Sequence, residues 1–222
     1  MAVECAGSIH VLAARATRLN ADGSPAVGIA SSYVTAHPMR VALNPEVETG
    51  EDRIQKNGAD CPCLTYRAPD YIKRWNLEAD NCRLEPLLFE MMFGADLIPG
   101  APGTAAIGNI LPSGVGVCDV SAGGIGWEFW TRAWDGDAPL AGTPYIRWVV
   151  PKSVWQLGDN EFSAEFLTVK MTGYTENNPA FGDPYEDQPS TFDNPEGRVA
   201  WFYDSVLPTA ACGYSTATTS GS

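Results

Sequence analysis

The clearest hydrophobic pattern in the chain is helical. Leu84, Leu87, Leu88, Met91 and Met92 fall at i, i+3, i+4, i+7 and i+8, one apolar stripe of a 3.6-residue period. The spacing predicts a helix over 84–94 with these five residues as its core face. Pro86 suits a first helical turn, where its missing N–H leaves nothing unpaired, and Gly94 suits a left-handed stop. Elsewhere the period is two. Over 72–80, Trp75, Leu77 and Ala79 alternate with Arg74, Asn76 and Glu78, which predicts a strand with the first set facing a core.

Other segments repeat the strand pattern. Residues 8–19 and 32–43 read as β-rich runs joined through Asp22-Gly23-Ser24-Pro25, a sequence with strong turn chemistry, and so predict a hairpin. Residues 44–50 read as an acidic loop carrying Glu46 and Glu48. Ile54–Lys56 is strand-like before an Asn57-Gly58 turn, and Cys63–Arg67 is predicted to pair with Ile72–Asp80 across Ala68-Pro69-Asp70. Three aromatic strands follow over 125–134, 144–150 and 162–174, and a last one over 198–207. Long loops are expected at 44–60, 99–116 and 176–197, the last with four prolines. The expectation is a single mainly β domain over 1–207, an antiparallel β-sandwich or barrel with one flanking helix, and a loose tail over 208–222.

Composition sharpens this picture. Twenty-two Gly and 17 Pro favour turns, and seven Trp, eight Tyr and eight Phe favour pleated, half-buried surfaces. The formal charge of −13 argues against a protein that clasps nucleic-acid phosphates, which requires basic patches, and is compatible with a surface that repels DNA. No apolar run is long enough to span a membrane, and the N-terminal residues lack the cationic start and apolar core of a secretory signal. Cytoplasmic synthesis is expected. Cys61-Pro62-Cys63 has one residue between thiols and no neighbouring histidine, so a zinc site is not expected. The six cysteines are read as buried and reduced, with a disulfide from Cys61 or Cys63 to Cys82 left open.

Catalytic patterns are scarce. His10 and His37 are the only histidines, and the chain has no Gly-x-Ser-x-Gly elbow, no phosphate-binding Gly-Lys loop and no His-Glu-x-x-His. Gly114-Val115-Gly116 lacks the third glycine of a dinucleotide fingerprint. One enzymatic reading has a physical basis, a glycosidase whose two carboxylates are Glu128 and Glu165 on aromatic strands. The tryptophans offer another alternative, a carbohydrate-binding β-sandwich module. The expectation is that the chain is not an enzyme and needs no cofactor or metal.

A colinear series of segments resembles one known family. Arg15-Ala-Thr-Arg-Leu-Asn-Ala-Asp-Gly-Ser-Pro25 resembles the opening hairpin of major tail proteins of long-tailed actinobacterial phages, as does the acidic loop Leu43-Asn-Pro-Glu-Val-Glu-Thr-Gly-Glu51, followed by Lys56-Asn-Gly58 and a Cys-containing strand. Ile72-Lys-Arg-Trp-Asn-Leu-Glu78, Cys82 and Leu84-Glu-Pro-Leu-Leu88 look like the strand that leads into that family's helix. Gly173-Tyr-Thr-Glu-Asn-Asn-Pro179 with Phe181-Gly-Asp-Pro184 is similar to the stretch after its last long strand. The motifs are architectural, and residues 99–124 match nothing in the series.

The resemblance implies a tail tube subunit of the virion, assembled in the host cytoplasm. Such subunits form hexameric rings that stack into a hollow tube through which DNA passes without specific binding. Their partners are further copies of the same chain, with tape measure, tail terminator and distal tail proteins. In this sequence the connector charges Glu46, Glu48, Asp52, Arg53 and Lys56 are the candidates for contacts between subunits.

Overall fold

The computed structural model describes residues 6–111, 124–158, 161–162, 167–190, 192, 194–208 and 213–217. The chain opens with β1 (Gly7–Arg18), β2 (Gly28–Thr35) and β3 (Pro38–Glu48), then β4 (Asp52–Lys56), β5 (Pro62–Arg67) and β6 (Tyr71–Asn81). Helix α1 (Pro86–Phe93) is followed by β7 (Asp96–Ile98) and β8 (Gly108–Ile110). The second half supplies β9 (Ile125–Asp135), β10 (Ala138–Pro139), β11 (Tyr145–Leu157), β12 (Glu161–Phe162), β13 (Leu167–Thr175), β14 (Ala200–Asp204) and β15 (Gly213–Ala217). The fold is mainly antiparallel β with one short helix.

One large sheet runs in the order β15-β2-β1-β9-β11-β13-β6-β3, with β10 beside β9, β12 beside β13 and β14 beside β11. The long strand β11 serves two neighbours on one side, pairing β14 along Tyr145–Val149 and β13 along Ser153–Leu157. The sheet curls enough to bring β3 back towards β1. Its interior holds Leu77, Ala79, Trp127, Phe129, Trp155, Val169 and Met171, and α1 closes that core with Leu88, Phe89, Met91, Met92 and Phe93. Each such side chain removed from water contributes roughly 1.5–3 kcal/mol. The helix stops at Gly94, whose φ of 63° is the left-handed cap and whose N–H donates to the Glu90 carbonyl at 3.0 Å.

The expected hairpin of β1 and β2 is present, with Ala14 opposite Thr35 and Thr17 opposite Ser32. Five expectations need correction. The run over 32–43 is two strands at distant places in the sheet, because the chain breaks pairing at Ala36-His37 and β3 pairs β6 instead. A period of two is the same on both sides of such a break, so the pattern does not show the change of partner. Residues 44–48 continue β3 rather than forming a loop, since Glu46 and Glu48 find cations across the ladder on β6. For the same reason β5 pairs β4, not β6. The helix begins at Pro86, so Leu84 lies outside it at 55% exposure and Leu87 is half-buried, while Phe89 and Phe93 join the buried set. Finally, residues 213–217, expected in a loose tail, form β15 along β2.

Candidate functional site

Two features stand apart from the ordinary core: a hairpin that projects from the sheet, and a buried cluster of charges beneath a long loop. The hairpin is β4–β5. Asn57 shapes its tip, accepting the N–H groups of Ala59 and Cys61 through its side-chain oxygen, each at 3.0 Å. β4 and β5 pair with each other and with no other described strand, and every residue from 51 to 67 is exposed. The hairpin extends the β3–β6 ribbon, whose outer end is itself exposed over 47–49 and 71–73, above the half-buried pair Glu46 and Arg74.

The junction is tight. A side chain at Gly50 would collide with the Ala68 carbonyl, so only glycine lets the two strands approach here. The Gly50 N–H donates to the Asp70 carboxylate at 2.9 Å, and the Ala68 N–H to the Glu51 carbonyl at 3.1 Å. Apolar groups lie uncovered along this arm: Val47, Ile54, Leu64, Tyr66, Tyr71 and Ile72 are each more than half exposed. The register puts Leu64 and Tyr66 on one face with Arg53 and Gln55, and Ile54 on the other.

All five connector charges fall on the arm or the ribbon beneath it. Glu46 is committed within the chain, accepting from Arg74 Nε at 2.6 Å, and the Arg74 hydrogen bond holds its carboxyl below the usual carboxylate range. Glu48 faces Lys73 at 3.6 Å, Arg53 faces Glu51 at 3.6 Å, Asp52 faces Arg67 at 3.9 Å and Lys56 faces Asp60 at 3.0 Å. Exposed pairs of this kind contribute at most about 1 kcal/mol each, which leaves these charges available to other partners.

The cysteine expectation is corrected here. Cys61 and Cys63 lie exposed at the arm tip and Cys82 lies exposed where β6 ends. Cys5, Cys118 and Cys212 lie outside the described residues. With the β6 strand between them, the tip thiols and Cys82 of one chain cannot meet, because eleven residues of strand span about 36 Å.

The second feature is centred on Glu128, which has no exposed surface. Arg15 Nε donates to its Oε2 at 2.7 Å, and Arg147 donates to Oε1 from Nη2 at 2.5 Å and from Nε at 3.0 Å. Asp187, from the loop after β13, bridges both guanidinium groups, to Arg15 Nη1 at 3.0 Å and Arg147 Nη2 at 2.8 Å. The Arg15 guanidinium lies 3.3 Å from the centre of the Tyr185 ring, and both arginines stack near Trp130. Burial alone would raise the Glu128 pKa, yet the charges and hydrogen bonds of Arg147 and Arg15 outweigh it and hold the group ionised. The same balance lowers Asp187. Burial, reinforced by Glu128, pushes the Tyr185 phenol up to about 12.

Glu128 therefore does not face a cleft, as one half of a glycosidase pair must: it is fully buried, and two arginines hold both oxygens of its carboxylate. Glu165 lies outside the described residues. Of the seven tryptophans only Trp201 is exposed, and His37 is tied to Glu85, which also accepts from Thr35 Oγ1 at 2.7 Å. Among the described residues no three His, Cys, Asp or Glu side chains converge as a metal site, and no helix is long and apolar enough to cross a membrane.

The loop carrying Asp187 is a fitted strap. Asn178 Nδ2 donates to the carbonyls of Gly23 at 2.7 Å and Pro151 at 3.2 Å. Phe181 packs on Leu19 and Val149, in space left open because residue 126 is glycine. None of these partners is signalled by the sequence beyond a single arginine in the apolar run around Arg147.

No protein-family model matches this chain, and no curated protein matches it. Among solved structures it is similar to a chain of the PVC sheath–tube complex of an extracellular contractile injection system in its extended state. That match has a TM-score of 0.32 and 11% identity, and covers 73% of this chain and 86% of the other.

Proposed function

We propose that this chain is a structural virion protein, the tail tube subunit of a long-tailed phage, which assembles into stacked hexameric rings around a channel for DNA ejection. The observation that carries the reading is the projecting arm. A monomer gains nothing from a hairpin whose residues 51–67 are all exposed and whose Ile54, Leu64 and Tyr66 remain in water. A subunit that must grip its neighbours does. β3 forms the open edge of the large sheet on the same side, where pairing with another chain is an assembly device rather than a hazard. The colinear resemblance of residues 15–25, 43–58, 72–88 and 173–184 to major tail proteins supports the same reading.

On this reading the chain catalyses nothing and carries no cofactor. Its work is mechanical and electrostatic: interlocked subunits hold the tube, and a subunit charge of −13 disfavours DNA adhering to it. Its partners are copies of itself and the proteins at either end of the tail. Electron microscopy of the purified protein in negative stain tests the proposal. Rings or tubes with a central channel are the expected result; a strictly monomeric particle at high concentration would overturn it.

A further inference from the structure

Three exposed thiols lie on one ribbon, two of them at the tip of an arm that also leaves Ile54, Leu64 and Tyr66 uncovered. Cysteine is among the most buried residue types, and an exposed thiol is a reactive one. Cys61 and Cys63 sit at the tip of the arm, and Cys82 sits at the far end of the β3–β6 ribbon from which the arm grows. Cys61 and Cys63 are two residues apart at the start of β5, and each sulfur contacts only a local carbonyl, of Ala59 at 3.6 Å and of Cys61 at 3.9 Å. The Cys82 sulfur lies 3.6 Å from the His37 carbonyl. Neither end of the ribbon ties up its thiols.

We infer that the arm-tip thiols of one copy and Cys82 of the next are the two halves of an intersubunit disulfide that locks the assembled structure. The inference rests on the proposed self-assembly. A subunit that stacks head to tail along its ribbon brings the tip of one copy towards the opposite end of the next, and these are the two places where the described thiols lie. A bridge between the arm tip and Cys82 of the same chain is excluded by the strand between them.

The chemistry needs an oxidant, for which a small-molecule disulfide suffices. An arm thiolate attacks one sulfur of that disulfide, forms a mixed disulfide and releases one small thiol. The Cys82 thiolate of the neighbour then attacks the arm sulfur, forms the Sγ–Sγ bond and releases the second small thiol. Two protein thiols lose two electrons and their protons, and the small disulfide gains them.

The test takes the full chain, with assembly first established by electron microscopy, and exposes it to oxidised glutathione. Non-reducing electrophoresis should show a ladder in multiples of 23.8 kDa that collapses on reduction, and peptide mapping should join the segment holding Cys61 and Cys63 to the one holding Cys82. C82S and the double variant C61S/C63S should each reduce the ladder at least tenfold while still assembling. A ladder that survives C82S, a bridge confined to Cys61 and Cys63, a ladder mapped to Cys5, Cys118 or Cys212, or assembled protein with no ladder would each overturn the inference. Failure to assemble at all would overturn the functional reading beneath it.

Discussion

A carboxylate with no exposed surface stays ionised only because of its partners, so Glu128 and its two arginines stand or fall together. E128Q leaves two guanidinium groups buried with one carboxylate fewer and is expected to cost about 3–5 kcal/mol, read as a lowered urea midpoint. D187N should cost less, about 1–2 kcal/mol, because the Asp187 side chain is 41% exposed and water screens what it loses. Both carboxyls have folded pKa values below their unfolded ones, so their stabilisation is complete above about pH 5 and is lost as pH falls through about 4 and below. Urea titrations across that window should show the wild type losing stability on acidification, with a shallower loss in E128Q; an unchanged slope would place the acid sensitivity elsewhere. Almost none of this was visible in the sequence. A Glu in Gly126-Trp127-Glu128-Phe129-Trp130 has the alternation of an outward strand position, and the arginines that turn it into a core residue come from β1 and β11, with Asp187 from a loop.

At the scale of elements, the helix separates what periodicity can and cannot give. Its position and its glycine stop are legible, but the apolar stripe begins two residues before the first helical turn and is narrower than the buried face. The reason is that α1 is apolar nearly all round, so that Phe89 and Phe93 are buried with Leu88, Met91 and Met92. L88A should therefore cost about 2–5 kcal/mol, while L84A, outside the helix and exposed, should stay within about 0.5 kcal/mol. Equal losses in thermal melts would contradict this placement. The arm makes the converse prediction. Replacing residues 51–67 by a short turn removes no buried side chain, and the Gly50–Ala68 approach already brings the flanking strands together. The shortened protein should melt within a few degrees of the wild type and fail to form rings. Ring formation by that variant would remove the arm from the assembly interface. Alanine at Glu48, Asp52, Arg53 and Lys56 together should weaken stacking with little change in melting temperature, whereas E46A should also loosen the ribbon through loss of its Arg74 bond.

Over the whole molecule the decisive quantity is charge. Copies carrying −13 each repel, and this repulsion is long-ranged at low salt and screened at higher salt. Raising ionic strength from about 20 mM to about 200 mM should favour assembly, measured by sedimentation velocity; weakening over that range would mean that charge pairs between subunits dominate. Fold class was legible at this scale because alternation and turn chemistry recur along the chain. Strand order was not, because β3 belongs beside β6 and β15 beside β2, and nothing local to either strand names its neighbour.

The buried charge cluster has a consequence in time. Arg15 is made early, its partner Glu128 lies 113 residues later and Asp187 lies 172 residues later. At roughly 5–20 residues per second, a ribosome spends about 10–30 s between the first of these and the last. The arm needs only its own residues and can close in microseconds. Chains arrested before residue 187 should accordingly present a formed hairpin on a body that pulse proteolysis still digests, and full-length chains a protected one. A protected body in the arrested chains would refute this. A chain built this way closes its arm long before its body, because Asp187 and then Asp204, which also pairs with Arg147, emerge only after every strand through β13.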